Sequence, residues 1–270
     1  MSRLPLFLGL VCFIGSSHML MGQSTDVLAV FDVPKAHQAV AVDQYYFYVI
    51  NNKTITKHDK KTGELVAGFD GTSLGLHHMN SGMVYKHKLY CAHSNFPEFP
   101  MTSSIEVFDT RTMKHESSYS LGISTYGSLT WIDYDERNKQ WYMGFAHYSA
   151  EKLRIDERDN RWTTIVQYDR NWNSKQSWVF PAPLIEAFGG YSNSGASIGW
   201  DGYFYCTGHD NSELYKMKLP ESGYTLQHVA TIPAPIYGQG VAIDRSVKGA
   251  TVVYGIRRAD HEVVSFVIGE

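Results

Sequence analysis

Three histidines recur at one place in three consecutive segments of this chain. His93 closes Leu89-Tyr90-Cys91-Ala92-His93, His147 closes Trp141-Tyr142-Met143-Gly144-Phe145-Ala146-His147, and His209 closes Tyr203-Phe204-Tyr205-Cys206-Thr207-Gly208-His209. His77 and His78 stand at the start of the segment that ends in His93. Neutral imidazoles brought to one axis from separate strands are a natural ligand set for Zn²⁺, Mn²⁺ or Fe²⁺. On that reading His78, His93, His147 and His209 hold a divalent metal that polarises a substrate oxygen. Without a metal, the same rings form an acid–base pocket, because imidazole titrates near neutral pH. Here His78, His147, Tyr148 and Asp210 are the expected catalytic groups, Tyr148 and Asp210 directly following two of the repeated histidines. A third reading is structural, each repeat keeping a histidine for a hydrogen bond in a local turn.

A second set of residues opens the segments and is expected to bind substrate: His77, Asn80, Tyr126, Asn193 and Gln239. Arg257 joins them, since it stands where the fifth segment would place its histidine. A lone arginine there suits a carboxylate or sulfate, and a structural ion pair is the equal alternative. Asn95-Phe96-Pro97-Glu98-Phe99-Pro100 reads as a rigid rim loop walling a cleft, whereas Glu106 falls in a third strand, away from the mouth. The chain has no Gly-rich phosphate loop and no Cys-x-x-Cys pair.

The elements that must carry these residues are strands. Helical patterning is nearly absent, the only candidate being Pro183 to Phe188. Five segments instead share one grammar: a small-apolar strand, a turn, an aromatic-rich strand ending in a polar residue, then a third strand and often an Asp-containing turn. They start near His37, His78, Gly127, Ser194 and Gly238, mostly at the spacing of about 40 to 50 residues that a four-stranded propeller blade needs. The long third interval holds a charged insertion, Ser149 to Arg161, expected as a surface loop. The expected fold is therefore all-β, a five-bladed β-propeller with mostly four-stranded blades; a β-sandwich is the competing architecture. The fifth segment runs out after three strands, and Val27 to Val33 would supply its outer strand and close the ring. In such blades the start of strand one and the end of strand two share a face. Both residue sets then converge on one mouth of the central channel.

The chain has 270 residues, 43% hydrophobic and 19% charged, enough to bury a sizeable core and unlike a disordered chain. Its net charge of −3, with no basic run, argues against a nucleic-acid partner. Residues 1–22 read as a secretory signal peptide: Arg3, an apolar run from Leu4 to Ser16, and the small Gly22 before Gln23. The run is too short to span a bilayer, and a membrane anchor is the alternative. Residues 23–270 are then one propeller domain, secreted or periplasmic, monomeric, with no membrane span and a small molecule or glycan as substrate. Cys91 and Cys206 occupy matching places in non-adjacent repeats, too far apart to bridge, and are expected as buried free thiols.

The stretches His77-His78-Met79-Asn80-Ser81-Gly82, Cys91-Ala92-His93-Ser94-Asn95, Trp178-Val179-Phe180-Pro181, Gly189-Gly190-Tyr191-Ser192-Asn193-Ser194-Gly195 and Thr207-Gly208-His209-Asp210 resemble a group of exported bacterial propellers loosely labelled "cycloisomerase-like". The layout is also similar to that of plant-type glutaminyl cyclases, whose Phe-Thr-Gln-Gly-Leu start is echoed by Tyr237-Gly238-Gln239-Gly240-Val241 in a different blade. The resemblance implies a propeller and carries no substrate with it. The function expected is an exported enzyme with a histidine-rich site at the channel mouth, acting on a carbohydrate or sugar acid as lyase, hydrolase or isomerase. A non-catalytic glycan- or peptide-binding propeller and a glutaminyl cyclase are the other readings.

Overall fold

The computed structural model describes residues 23–154 and 157–269; the signal-peptide assignment to residues 1–22 lies outside them. Five four-stranded antiparallel sheets form the ring. Strand β1 (Thr25–Asp32) comes first. The first blade is β2 (Ala39–Val42), β3 (Tyr46–Asn51), β4 (Thr54–Asp59) and β5 (Leu65–Asp70). The second is β6 (His78–Tyr85), β7 (Lys88–Ser94), β8 (Thr102–Asp109) and β9 (His115–Ile123). The third is β10 (Ser128–Asp135), β11 (Gln140–Ala146), β12 (Thr164–Tyr168) and β13 (Ser174–Val179), followed by the short helix α1 (Ala182–Ala187). The fourth is β14 (Gly195–Ile198), β15 (Phe204–Thr207), β16 (Glu213–Lys218) and β17 (Gln227–Pro233). The fifth has β18 (Ala242–Ile243), β19 (Thr251–Arg257) and β20 (Glu262–Ile268), with β1 as its outer strand.

The ring closes as expected. Val30 pairs with Val264 and Asp32 with Glu262 across β1 and β20, so the first strand of the chain completes the last blade. At the inner edge, Gly240 N–H donates to the Gln38 carbonyl over 2.9 Å. Gly240 allows this approach because a Cβ there would run into Ala39.

Burial explains the sequence grammar. Every residue of β2, β10 and β14 is buried, while the outer strands β5, β9 and β17 are largely exposed. β-branched and aromatic residues such as Tyr48-Val49-Ile50 fill strands that are packed on both faces. The apolar core is divided into clusters, each between two neighbouring blades. Trp131, Tyr142, Phe204 and Tyr215 join the third and fourth; Met79, Tyr48, Leu89 and Phe108 join the first and second.

The Asp-containing turns are also real. Asp59, Asp109 and Asp169 each accept two backbone N–H groups in the loop between third and fourth strands, at 2.8–3.0 Å. Cys91 and Cys206 are buried free thiols, and burial pushes both up from their ordinary range. Among the described residues no helix is long and apolar enough to cross a membrane.

Candidate functional site

The inner strands' starts and the second strands' ends meet at one channel mouth and enclose a cleft of about 490 Å³. His77, His78 and Asn80 reach it from the start of the second blade, Tyr148 from the end of β11, His209 from the end of β15, and Gln239 from the approach to β18. Phe96 and Pro97 of the rim loop form part of its wall, as expected; Phe96 packs on His78 (ring centroids 4.9 Å) and Tyr148 (5.2 Å). The charged insertion is more than a surface loop. Its Leu153 lines the cleft, and its buried Asn160 ties it down by donating to the Gly189 carbonyl over 2.7 Å.

Of the four expected metal ligands, only His78 and His209 face this cleft. His93 lies behind it with both ring nitrogens engaged. The His77 backbone N–H donates to its Nε2 (3.0 Å), so the ring proton sits on Nδ1 and goes to Ser104 Oγ (2.9 Å). Ser104 in turn donates to Glu106 Oε1 (2.6 Å), and the other carboxylate oxygen takes Ser118 Oγ (2.5 Å) and His115 Nε2 (2.7 Å). Glu106, set aside on sequence as remote, is thus the anchor of a polar chain ending at the mouth. Burial would raise its carboxyl, but these hydrogen bonds outweigh that and hold it below the ordinary range.

His147 is separated further. It is 1% exposed and lines a different cavity, with Phe99, Met101, Ile123, Arg154 and Arg158. Among the described residues no group of three or more His, Cys, Asp or Glu side chains is gathered to hold a metal. The set expected for Zn²⁺, Mn²⁺ or Fe²⁺ therefore does not fit a common ion. Equivalent positions in successive blades are rotated about the axis, and the bonds to His93 hold its ring away from the others.

The cleft has its own chemistry. His209 lies flat on Tyr191 (centroids 3.8 Å, planes 8° apart), and its Nδ1 is 2.7 Å from Asp210 Oδ1. The carboxylate lies close to Nδ1 without the alignment of a hydrogen bond, so it acts on the ring as a nearby negative charge. Burial first, then repulsion from His93, lowers His78 to about 4, so its ring is neutral at neutral pH. Burial also raises the Tyr148 phenol, which stays protonated.

Two expected substrate-binding residues are structural instead. Asn193 is 1% exposed and fully engaged: it accepts from Trp131 Nε1 and donates to the Gly195 and Thr207 carbonyls (2.9 and 2.8 Å). Arg257 donates to the Pro235 carbonyl (2.9 Å) and to Glu262 Oε2 (3.0 Å), its cross-strand partner. The next residue, Arg258, lines the cleft. Arg257 is the last residue of β19 and is held by its cross-strand partner, whereas Arg258 opens the turn that follows and is exposed. Tyr126 packs on Phe145 (5.5 Å) and is absent from the cleft lining. Gln239 lines the cleft but is also 4% exposed and donates to the His209 carbonyl (3.1 Å), so it positions the His209 loop.

Gly195-Ala196-Ser197-Ile198-Gly199 has the spacing of a nucleophile elbow. Ser197, however, sits within β14, buried, and donates to Asp133 Oδ2 (3.0 Å). Asp133 also takes Arg245 Nη2 at 2.7 Å and the Ile198 N–H at 2.7 Å, joining three blades. These groups border a second cavity of about 420 Å³, distinct from the histidine cleft in its lining.

No family model matches this chain, and no curated protein matches it. Solved structures do. A luciferin-regenerating enzyme is 11% identical over 92% of this chain and 96% of its own, with a TM-score of 0.50. The PQQ-bound aldose sugar dehydrogenase of Streptomyces coelicolor is 14% identical over 87% of this chain and 79% of its own (TM-score 0.49). A Bacteroides caccae protein of unknown function is 12% identical over 75% of this chain (TM-score 0.43), and the match spans 61% of that protein. These matches do not bear on the cycloisomerase-like or glutaminyl cyclase resemblance. At such identities the likeness is one of fold, and a propeller fold does not choose a chemistry. The chain is a five-bladed β-propeller with a polar, histidine-bearing cleft at one mouth of its channel.

Proposed function

We propose that this chain is an exported enzyme acting on a sugar acid at the channel mouth, by removing the proton next to a carboxylate. One observation carries the reading: Arg258 is the only permanent cation lining the cleft among the described residues, no carboxylate lines it, and His77, His78 and His209 stand beside it, the His78 ring held neutral at neutral pH by burial. A guanidinium in a neutral polar cleft selects a carboxylate and can pair with it bidentately.

The steps follow from the groups. Arg258 holds the substrate carboxylate and offsets the charge that gathers there as the adjacent C–H bond breaks. His209 takes that proton at Nε2, and Asp210 steadies the imidazolium that forms. The electron pair left on carbon forms the double bond and expels the oxygen on the next carbon, which takes a proton from the Tyr148 hydroxyl. The phenolate regains its proton from the His209 imidazolium, directly or through water. His78 and Asn80 hydrogen-bond the sugar hydroxyls. Without a leaving group, return of the proton to the other face would give an isomerase.

Incubation of the purified mature protein in D₂O with uronic acids and uronate glycans tests this, following deuterium at the carbon next to the carboxylate by NMR and the unsaturated product by ultraviolet absorbance. Exchange that His209→Ala abolishes in a folded protein supports the enzyme. An acid that binds at the mouth without exchange or product would make the chain a binding propeller instead.

A further inference from the structure

The cavity that contains His147 has a composition unlike that of the central cleft. The rim loop contributes Phe99, Pro100 and Met101, the end of β9 contributes Ile123, and the insertion contributes Arg154 and Arg158. Its volume is about 530 Å³. Phe99 and Ile123 are 45% and 68% exposed, an apolar wall left facing solvent. Arg154 and Arg158 form no ion pair among the described residues. Arg158 lies over the Trp162 ring (5.2 Å) and makes one long hydrogen bond, 3.3 Å, to the Thr125 carbonyl. The nearby Asp159 is already paired with Arg161 at 2.8 Å. His147 is almost wholly buried at this cavity, and neither ring nitrogen makes a well-aligned hydrogen bond among the described residues, the Thr125 backbone being the polar group beside it. A buried polar side chain without a partner is costly to keep unless a ligand completes it.

We infer that this cavity is a second binding site, for a carboxylate carrying an aromatic or branched apolar body. Two guanidiniums match a planar carboxylate better than any neutral group. Phe99, Met101 and Ile123 would cover the apolar body, and the His147 imidazole would give the carboxylate a further hydrogen bond once the insertion shifts to admit it. An anion without an apolar body, such as inorganic phosphate, would leave the apolar wall uncovered. The site is independent of the reading given to the cleft. The cleft and the His147 cavity share the rim loop and the insertion: Phe96, Pro97 and Leu153 face the cleft, whereas Phe99, Pro100 and Arg154 face the His147 cavity.

The test uses 4-fluorobenzoate as probe, with binding to the full mature protein read by ¹⁹F NMR. Wild type binds it, 4-fluorobenzamide binds about tenfold or more weakly, and Arg154→Gln/Arg158→Gln weakens 4-fluorobenzoate by a similar factor, the scale of one charge-assisted pair. Ile123→Glu, on an exposed strand end where folding is not at stake, also weakens it. With the carboxylate contact of the cleft removed by Arg258→Gln, the binding that depends on Arg154 and Arg158 persists, which separates this site from the cleft. Absence of binding, equal affinity for the amide, equal competition by inorganic phosphate, or loss in Arg258→Gln alone would each overturn the assignment.

Discussion

His209 lies face to face with Tyr191, ring centroids 3.8 Å apart, while Asp210 stands 2.7 Å from its Nδ1. Stacking on Tyr191 fixes the plane of the imidazole, and the nearby carboxylate favours an imidazolium formed when the ring takes a proton. Proton transfer by a positioned imidazole contributes roughly 10²–10⁴-fold to a rate. His209→Ala is therefore expected to lower kcat on the sugar-acid substrate by about that factor, with the circular dichroism spectrum unchanged. Asp210→Asn should cost less and shift the pH–rate profile. Equal kcat in wild type and His209→Ala would remove His209 from the chemistry.

Arg258 and Arg257 should separate cleanly. Arg258→Gln is expected to raise KM for an acidic substrate about tenfold, the loss of one charge-assisted contact, and to leave KM for its neutral amide unchanged. Arg257→Gln should leave both KM values alone, since its guanidinium is turned to Glu262 and Pro235. Steady-state kinetics on the acid and amide pair decides.

Asn193 is expected to act on stability and not on substrate. Asn193→Ala strips the partner from the buried Trp131 Nε1 and one donor from each of two carbonyls, Gly195 keeping Thr207 Oγ1 and Thr207 keeping the Ser194 N–H, at about 1–3 kcal/mol for the buried group left unpaired. Urea unfolding should show a lowered midpoint with an unchanged m value. An unchanged midpoint would mean that water replaces the amide at no cost.

Acid should destabilise the fold in two stages. His78 titrates near 4 in the fold against 6.5 for the ordinary group. Below about pH 6.5 the unfolded chain takes up a proton that the folded ring refuses, so stability falls until about pH 4 and then levels off. His93 is lowered in the same direction, again chiefly by burial. Glu106 adds the second stage: its carboxyl is held below the ordinary range, so its contribution is present above that range and is lost as pH falls through the folded value. Urea midpoints measured from neutral pH into this acid range should decline, and His78→Gln should flatten the first part of the decline.

Gly144 and Trp131 give a packing test. A Cβ at Gly144 would overlap the Trp131 ring, which packs against it at the centre of the third blade. Gly144→Ala is expected to cost about 1–3 kcal/mol, the usual scale for overpacking a core, read as a lower thermal midpoint. An unchanged midpoint would show that the ring can move aside.

The amino-acid sequence by itself determined the architecture. Small-apolar inner strands, aromatic second strands and Asp-containing turns recur because every blade meets the same burial: channel inside, neighbours on both faces, solvent at the rim. The same regularity placed His78, Tyr148 and His209 at one mouth and completed the last blade with the first strand, since period and strand order are local properties of the chain. What a side chain does once it arrives depends on neighbours far away in sequence, and that only the tertiary structure decided. His93 is taken up by the chain to Glu106, His147 is walled off by the rim loop and the insertion, Asn193 is held by Trp131 from the preceding blade, and Arg258, not Arg257, faces the cleft. One residue past the end of a strand a side chain meets different surroundings, and one long-range hydrogen bond turns a candidate ligand into a structural group. Neither is visible in the order of residues alone, because both depend on contacts that exist only after the ring has closed.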